Sequence, residues 1–291
     1  MAAWNGKVRT TTTRRGSVPF LKWPGGKRRL VPYLLPHLGL PVKRLVEPFC
    51  GSCALSLAVG DRAERFWLND RNPDLMNLLL QLKRDPGALI ARAKEYFIPE
   101  NNHEKAYYRL RERFNEEDDP LIRAALFLYL NRHGYNGLCR YNAEGGFNVP
   151  FGRYRAPHFP EKEILAAAAV LARAELTICD FEEVMEACRP GDVVYCDPPY
   201  VPLSATASFT AYAAGGFGPA DQARLANAAA RTAARGIPVV VSNHDTPLTR
   251  ELYRGARLES LDVRRNISCN GANRALVKEI VAVYHPAAPA G

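Results

Sequence analysis

Along this chain, short apolar runs closed by an acidic residue or a turn signal alternate with longer stretches of helical periodicity. Arg44-Leu45-Val46-Glu47-Pro48-Phe49 predicts a strand that runs into the small-residue turn Cys50-Gly51-Ser52 and then an apolar helix from Ala54 to Val59. Arg65-Phe66-Trp67-Leu68-Asn69 predicts the next strand, closed by Asp70. From Pro73 to about Asn131 the period changes. Leu75, Met76, Leu78, Leu79 and Leu82 recur at helical spacing, and further helices are expected over 86–97, 103–114 and 120–133 with no strand between them. Two aromatic-rich runs, 134–142 and 147–154, then flank Ala143-Glu144-Gly145-Gly146 and predict a β-hairpin. Beyond it come an Ala-rich helix over 161–172, a strand over 175–179 ending at Asp180-Phe181, and a strand over 192–196. A long Ser/Thr/Ala/Gly segment over 201–218, a helix over 219–235, a strand over 237–242, a short helix near 248–254 and two late strands complete the pattern. No internal repeat is present. The pattern predicts an α/β sheet interrupted by a helical insertion.

The strand over 192–196 leads into Asp197-Pro198-Pro199-Tyr200, the most informative tetrapeptide of the chain. Two consecutive prolines cannot continue a sheet ladder, so the strand stops there. A carboxylate, a stiff turn and an aromatic ring then sit at the carboxyl end of a strand, where open α/β sheets bind ligands. A carboxylate and a fixed carbonyl can accept both hydrogens of a planar amine while the ring stacks on the base that carries it. That arrangement suits methyl transfer to an exocyclic amino group; the bland alternative is an ordinary Pro-Pro turn. The strand, Gly-containing turn and helix around Gly51 read as the start of a nucleotide-binding unit. Asp70, about twenty residues beyond that turn, is placed to accept from ribose hydroxyls or, alternatively, to cap the helix beginning near Pro73. The interleaved Tyr, Asn and Arg of the hairpin suit nucleic-acid contact, although a folded hairpin also needs aromatics for packing.

Composition changes this picture modestly. The chain has 291 residues, 47% of them hydrophobic, enough for one long domain or two ordinary ones. With 39 Lys+Arg against 30 Asp+Glu, its formal charge of +9 favours a polyanionic partner or merely a basic surface. No apolar run is long enough for a transmembrane helix, and residues 1–17 lack the apolar region of a secretory signal, reading instead as a basic disordered tail. Seven cysteines, an odd number, point to free thiols in a reducing, cytoplasmic compartment. Cys50 and Cys53 form a C-x-x-C without a second half, so no metal is expected and both are assigned to a tight strand-to-helix turn.

Taken together, these motifs resemble the Dam-type DNA adenine-N6 methyltransferases. In order they are 19–27 (Pro-Phe-Leu-Lys-Trp-Pro-Gly-Gly-Lys), 47–52, Leu68-Asn69-Asp70, the helical region and hairpin, Cys179-Asp180-Phe181, Asp197-Pro198-Pro199-Tyr200, 204–210 and 241–245, spanning Pro19 to Tyr284. The resemblance implies a Rossmann-like, S-adenosylmethionine-dependent methyltransferase sheet from 19–72 and 160–285. A helical DNA-recognition domain over 73–159, with its hairpin at 138–154, would be inserted in it, with tails at 1–18 and 286–291. It implies that Trp23 and Lys27 line the donor site, Lys27 near the donor's carboxylate; the spacing around Gly25-Gly26-Lys27 is not that of a P-loop. Phe49 and Gly51 would lie beneath the methionine moiety, Asp70 would hold the ribose, and Asp180 and Phe181 would contact the donor's adenine. Asp197 would touch both donor and target.

The resemblance further implies action on double-stranded DNA at GATC, by a monomer, with the target adenine flipped out and stacked on Tyr200. Asp197 and the Pro198 carbonyl, with Pro199 and Tyr200 shaping the turn, would position the nitrogen for in-line transfer. Tyr135 would insert into the stack, Asn136 contact the orphaned thymine, Leu138 and Pro150 pack on the next thymine methyl, and Arg140 read a guanine. Lys22, with Tyr154 nearby, would read the first guanine. Where the family usually has a small residue, most often Gly, this chain has Cys53, a larger side chain expected to shift the turn slightly or change donor affinity. Competing readings are methylation of another amine (cytosine N4, RNA adenine, a protein amide) and a catalytically silent DNA-binding protein.

Overall fold

The computed structural model describes residues 16–23, 25, 27–202, 216–264 and 276–285. Residues 1–15 of the basic tail, Pro24 and Gly26, the 204–210 motif and the 286–291 tail lie outside the described residues.

Among the described residues, the strands β1 (Val42–Glu47), β2 (Ala63–Asn69), β3 (Ala174–Thr177), β4 (Asp192–Cys196), β5 (Val239–His244), β6 (Arg257–Arg264) and β7 (Leu276–Tyr284) form one sheet. Their order across it is β3-β2-β1-β4-β5-β7-β6. The first five are parallel, and β7 runs antiparallel between β5 and β6. The order reverses between β1 and β4, which pair directly, Arg44 opposite Asp192 and Val46 opposite Val194. A bidentate bond from Arg44 to the Asp192 carboxylate (2.8 and 2.7 Å) locks this pair at the end away from the strands' carboxyl termini.

Alternate strand residues face opposite layers. Leu45, Phe66, Leu68, Val193, Tyr195 and Val240 join one core, and Val46, Trp67, Val194, Cys196, Val239 and Val241 the other. On the first face lie α1 (Val31–Leu34), α2 (Ala54–Val59) and the helices that separate β2 from β3: α3 (Pro73–Arg84), α4 (Pro86–Lys94), α5 (Glu104–Glu116) and α6 (Pro120–His133), followed by α7 (Glu161–Leu171). Three of them begin with a capping residue followed by proline: Asn72-Pro73, Asp85-Pro86 and Asp119-Pro120. In α6 every residue from Ala124 to Asn131 is buried, so this helix is the centre around which the others pack. The second face is covered by α8 (Phe181–Glu186), α9 (Pro219–Ala234) and α10 (Pro247–Leu252).

The expected hairpin is present in altered form. It starts earlier, pairing Gly134 with Phe151, and has only isolated antiparallel bridges in place of two regular strands. Its backbone is held by side chains of α5: Asn115 grips Phe147 at N and O, and Tyr107 and Arg111 both donate to the Val149 carbonyl. Backbone groups satisfied this way no longer need a ladder.

Asn69, wholly buried at the end of β2, ties three segments together. Its amide donates to the carbonyls of Pro48 (3.0 Å) and Cys179 (3.1 Å), and its Oδ1 accepts from Cys179 N and the Thr177 hydroxyl. Asn69→Ala leaves these groups buried without partners, each costing about 1–3 kcal/mol. The expected loss in urea unfolding is roughly 3–5 kcal/mol; a loss below ~1 kcal/mol would show that the turns are held by something else.

Candidate active site

The carboxyl ends of β1 and β4, at the reversal of strand order, open into a cavity of about 770 Å³. Residues from well-separated parts of the sequence line it: Trp23 and Lys27, Glu47, Phe49 and Gly51 after β1, Asp70 and Asn72 after β2, Phe181, Asp197 to Tyr200 after β4, and Phe217 and Asp221.

Turn geometry explains the small residues on the β1 side. Gly51 has φ +46°, and a Cβ there would meet the Trp23 indole nitrogen at 2.8 Å, so only glycine fits beneath Trp23. Cys53 is also left-handed, at φ +56°, a conformation that favours glycine. Its thiol and that of Cys50 are buried in the turn, as the spacing predicted. Asp70 fastens the two loops to each other, Oδ2 accepting from Gly51 N and Oδ1 from Asn72 N, both at 3.0 Å. The cap of α3 is Asn72 and not Asp70. A carboxylate has about four acceptor sites, so Asp70 retains capacity for a ligand hydroxyl.

On the β4 side a buried electrostatic network surrounds Asp197. Lys27 Nζ lies 3.1 Å from Asp197 Oδ1 and 3.9 Å from Glu279 on β7, and it sits 3.8 Å above the Tyr200 ring. The Ser242 hydroxyl donates to Asp197 at 3.0 Å. Having spent its one hydrogen, Ser242 must accept at 2.8 Å from the Tyr195 hydroxyl. Burial pushes Asp197 above the usual carboxylate range, and Lys27 and Ser242 hold it down. Tyr200 donates to Glu279 (3.0 Å) and packs edge-on against His244. The prolines' loop is braced by Gln222, which donates to the Pro199 carbonyl (2.7 Å), and by Asn243, which accepts from Val201 N (3.0 Å). Among the described residues no donor reaches the Pro198 carbonyl.

At the other end of the cavity, Phe49 stacks on Phe181 (5.3 Å between ring centres), and Phe217 packs against both. Asp180 caps α8 through Glu182 N and pairs with Arg224 at 2.8 Å.

The residues assigned to DNA form a separate exposed group. Tyr135 and Asn136 are exposed after α6, Asn136 in the left-handed region at φ +53°. Lys22 and Tyr154 meet, the ammonium 3.6 Å from the ring centre, and the Tyr154 hydroxyl accepts from Asn136 N. Lys22 also donates to the Arg132 carbonyl, and burial with the nearby Arg132 charge pushes its pKa down to about 8. Gly137 is pressed onto Lys22, leaving no room for a Cβ. Arg140 is exposed and donates to Asn148 Oδ1 (2.7 Å) and O (3.1 Å) across the hairpin. Leu138 is half-buried against the core, and Pro150 is exposed while its carbonyl accepts from Tyr135 N.

Sequence reading gave Ser242 no role, although it lies in the 241–245 motif, and missed Glu279, which no local pattern marks; the two arrive from β5 and β7. It also passed over Glu47 as a site residue, although a carboxylate inside an apolar strand was a visible signal. Glu47 is 2% exposed and accepts from the backbone and hydroxyl of Ser56.

The family model for D12 class N6 adenine-specific DNA methyltransferases matches residues 23–267. The DNA adenine methylase of Vibrio cholerae serotype O1 is 49% identical over 92% of this chain and 96% of its own length. That of Escherichia coli strain K12 is 48% identical over 92% and 95%, and that of Serratia marcescens 46% identical over 91% and 97%.

Burial raises the Glu47 carboxyl from its ordinary 4.5 to about 7, against the Ser56 bonds that favour the anion. A pKa raised on folding gives stability that is present below 4.5 and lost as pH rises through 7. The loss is on the order of 3 kcal/mol. Glu47→Gln keeps the acceptor for Ser56 without this charge, so its stability relative to the parent chain should rise between pH 5 and pH 8. Parallel urea stability curves across that range would contradict this.

Proposed function

The chain belongs to the D12 class of N6 adenine-specific DNA methyltransferases, and from that premise we propose how and where it acts: it transfers the methyl group of S-adenosylmethionine to N6 of the adenine in duplex GATC, after flipping that base into the cavity. The observation that carries this reading is the convergence of Asp197, the open Pro198 carbonyl and the Tyr200 ring on one corner of the cavity whose other walls are Trp23, Gly51, Asp70 and Phe181. The donor is taken along the β1 side. Asp70 accepts its ribose hydroxyls, the aromatic end around Phe49 and Phe181 receives its adenine, whose amino group is taken by Asp180 next to Phe181, and Trp23 covers the methionine moiety over Gly51. Lys27 serves the donor's carboxylate from its place on Asp197. The residues present therefore fit S-adenosylmethionine, which supplies an electrophilic sulfonium methyl.

The target nitrogen is a poor nucleophile because its lone pair is delocalised into the ring. Asp197 Oδ and the Pro198 carbonyl each take one N–H, which favours a more tetrahedral nitrogen with its lone pair directed at the methyl. Positioning and a fixed negative charge supply the acceleration, and the proton leaves to water once the product nitrogen is acidic. The relay from Tyr195 through Ser242 holds the Asp197 carboxylate in orientation.

Duplex recognition falls to the exposed group on and beside the hairpin. Tyr135 enters the stack left by the flipped base and Asn136 meets the orphaned thymine. Leu138 and Pro150 contact the next thymine methyl. Arg140 and Lys22, the latter backed by Tyr154, read the flanking guanines. Helices α3–α6 with the hairpin act as the DNA-recognition part of the molecule, and the enzyme works as a cytoplasmic monomer. Among the described residues no helix is long and apolar enough to cross a membrane.

Expression in a host lacking adenine methylation, followed by base-resolution mapping of N6-methyladenine, should show modification confined to GATC; a different motif would overturn the assignment of the readers. Asp197→Asn should lower kcat roughly 10²- to 10³-fold. In the parent enzyme kcat/KM should fall as pH drops through the raised Asp197 pKa, because only the carboxylate accepts the N–H. Arg140→Ala should relax preference at one base pair by about 1–3 kcal/mol, whereas uniform weakening on all sequences would assign Arg140 to phosphate.

A further inference from the structure

Arg224, on α9 and outside every motif used so far, holds together the two segments that close the aromatic end of the cavity. Its guanidinium reaches three carboxylates: Asp180 Oδ1 at 2.8 Å, Glu182 Oε2 at 3.0 Å and Asp221 Oδ1 at 3.0 Å. The same group lies 4.9 Å from the centre of the Phe181 ring, which stacks on Phe49. Asp180, Phe181 and Glu182 begin α8. Asp221 lies in the first turn of α9, lines the cavity and accepts from Gly218 N at 3.0 Å, anchoring the backbone next to Phe217.

The bonds to Asp180 are all on one oxygen. Oδ1 accepts from Glu182 N and from Arg224, while among the described residues nothing donates to Oδ2. A carboxylate fixed in this way keeps one rotamer and presents its second oxygen in a constant direction. Without the guanidinium, Asp180, Glu182 and Asp221 are three like charges close together, and Asp180 retains only its cap bond. Folding does not depend on the clamp: α8 and α9 already pack through Val184, Met185, Leu225 and Ala229, and the Arg224 side chain is 42% exposed.

We propose that Arg224 is a positioning residue for donor recognition: by fixing Asp180 and backing Phe181 it sets how well the protein distinguishes a 6-amino purine from a 6-oxo purine in its cofactor. This rests on the reading that the donor's adenine lies at Asp180 and Phe181. An amino group donates to Oδ2, whereas an oxo group opposes it with lone pairs. Discrimination of that kind requires the acceptor to be held still.

The test is calorimetric binding of S-adenosylhomocysteine and of its 6-oxo counterpart, S-inosylhomocysteine, to the full chain and its variants. Arg224→Ala and Arg224→Gln should weaken S-adenosylhomocysteine roughly 3- to 30-fold and shrink the amino-over-oxo preference. Binding of the 6-oxo ligand and kcat at saturating donor should change less than twofold. Asp180→Asn keeps the cap through its Oδ1 and presents an N–H in place of Oδ2, so its preference should turn toward the 6-oxo ligand. Adding Arg224→Ala to Asp180→Asn should then cost little more, because the arginine acts through Asp180. Should Asp180→Asn leave the preference unchanged, the placement of the donor's adenine is wrong and the proposal falls with it. Should Asp180→Asn shift the preference while both Arg224 variants match the parent, the donor site stands and the clamp is refuted. Equal weakening of both ligands by the Arg224 variants would also refute it, as an effect on stability alone.

Discussion

The direct parallel pairing of β1 with β4 is the constraint on which the rest of the molecule depends. β2 and β3 lie on one side of this pair and β5 on the other, so the connections leaving the carboxyl ends of β1 and β4 diverge and a crevice opens between them. Glu47, Phe49 and Gly51 follow one strand and Asp197 to Tyr200 the other. Residues about 150 positions apart thereby line one crevice. The Arg44–Asp192 bond fixes the register of the two strands from the opposite end, where no ligand interferes with it. Asn69 then pins the loops after β1 and β3 to the end of β2, so the floor of the cavity is one hydrogen-bonded unit.

Charge burial is concentrated at this floor. Glu47, Asp197 and Glu279 lie in this region; Lys27, itself buried, lies beside Asp197 and Glu279, and the hydroxyls of Ser56, Ser242 and Tyr200 donate to Glu47, Asp197 and Glu279 respectively. Burial raises the pKa values of Glu47 and Asp197, which costs stability near neutral pH. The fold tolerates that cost because both apolar layers are continuous and the costly groups are confined to the strand ends.

The hairpin region solves a different problem. Its backbone is satisfied by Asn115, Tyr107 and Arg111 from α5 together with cross-strand bonds such as Asn148 N to Arg140 O and Tyr135 N to Pro150 O. Tyr135, Asn136 and Arg140 can therefore face solvent at one place without a regular strand beneath them. Gly137, pressed on Lys22, couples the hairpin to the segment that enters the cavity through Trp23 and Lys27. Lys22, against the hairpin, and Trp23 and Lys27, in the cavity lining, thus belong to one short stretch of chain.

Much of this was legible in the sequence. The strands around 44–49, 65–69 and 192–196 were marked by apolar runs ended by Pro, Asp or Gly, and α6 by an apolar stretch after Asp119-Pro120. Asp197-Pro198-Pro199-Tyr200 marked a strand end by itself, because proline cannot extend a ladder. Such features are local, and the chain carries them whatever it packs against. Other features had no local expression. Which oxygen of Asp197 is held, that Ser242 and Glu279 hold it and its neighbour Tyr200, and that side chains of α5 bind the hairpin backbone all follow from groups tens of residues apart. Arg224 is an ordinary helix-surface arginine in sequence, and only the apposition of α8 and α9 adds the Phe181 ring and the carboxylates of Asp180 and Glu182 to its local partner Asp221. The sequence by itself determined the elements, the turns and the chemistry available at each strand end, because these rest on backbone sterics and hydrophobic periodicity. The tertiary structure decided which of those groups share a proton, a charge or a ligand, because electrostatics and hydrogen bonding depend on ångström distances that only the packed sheet sets.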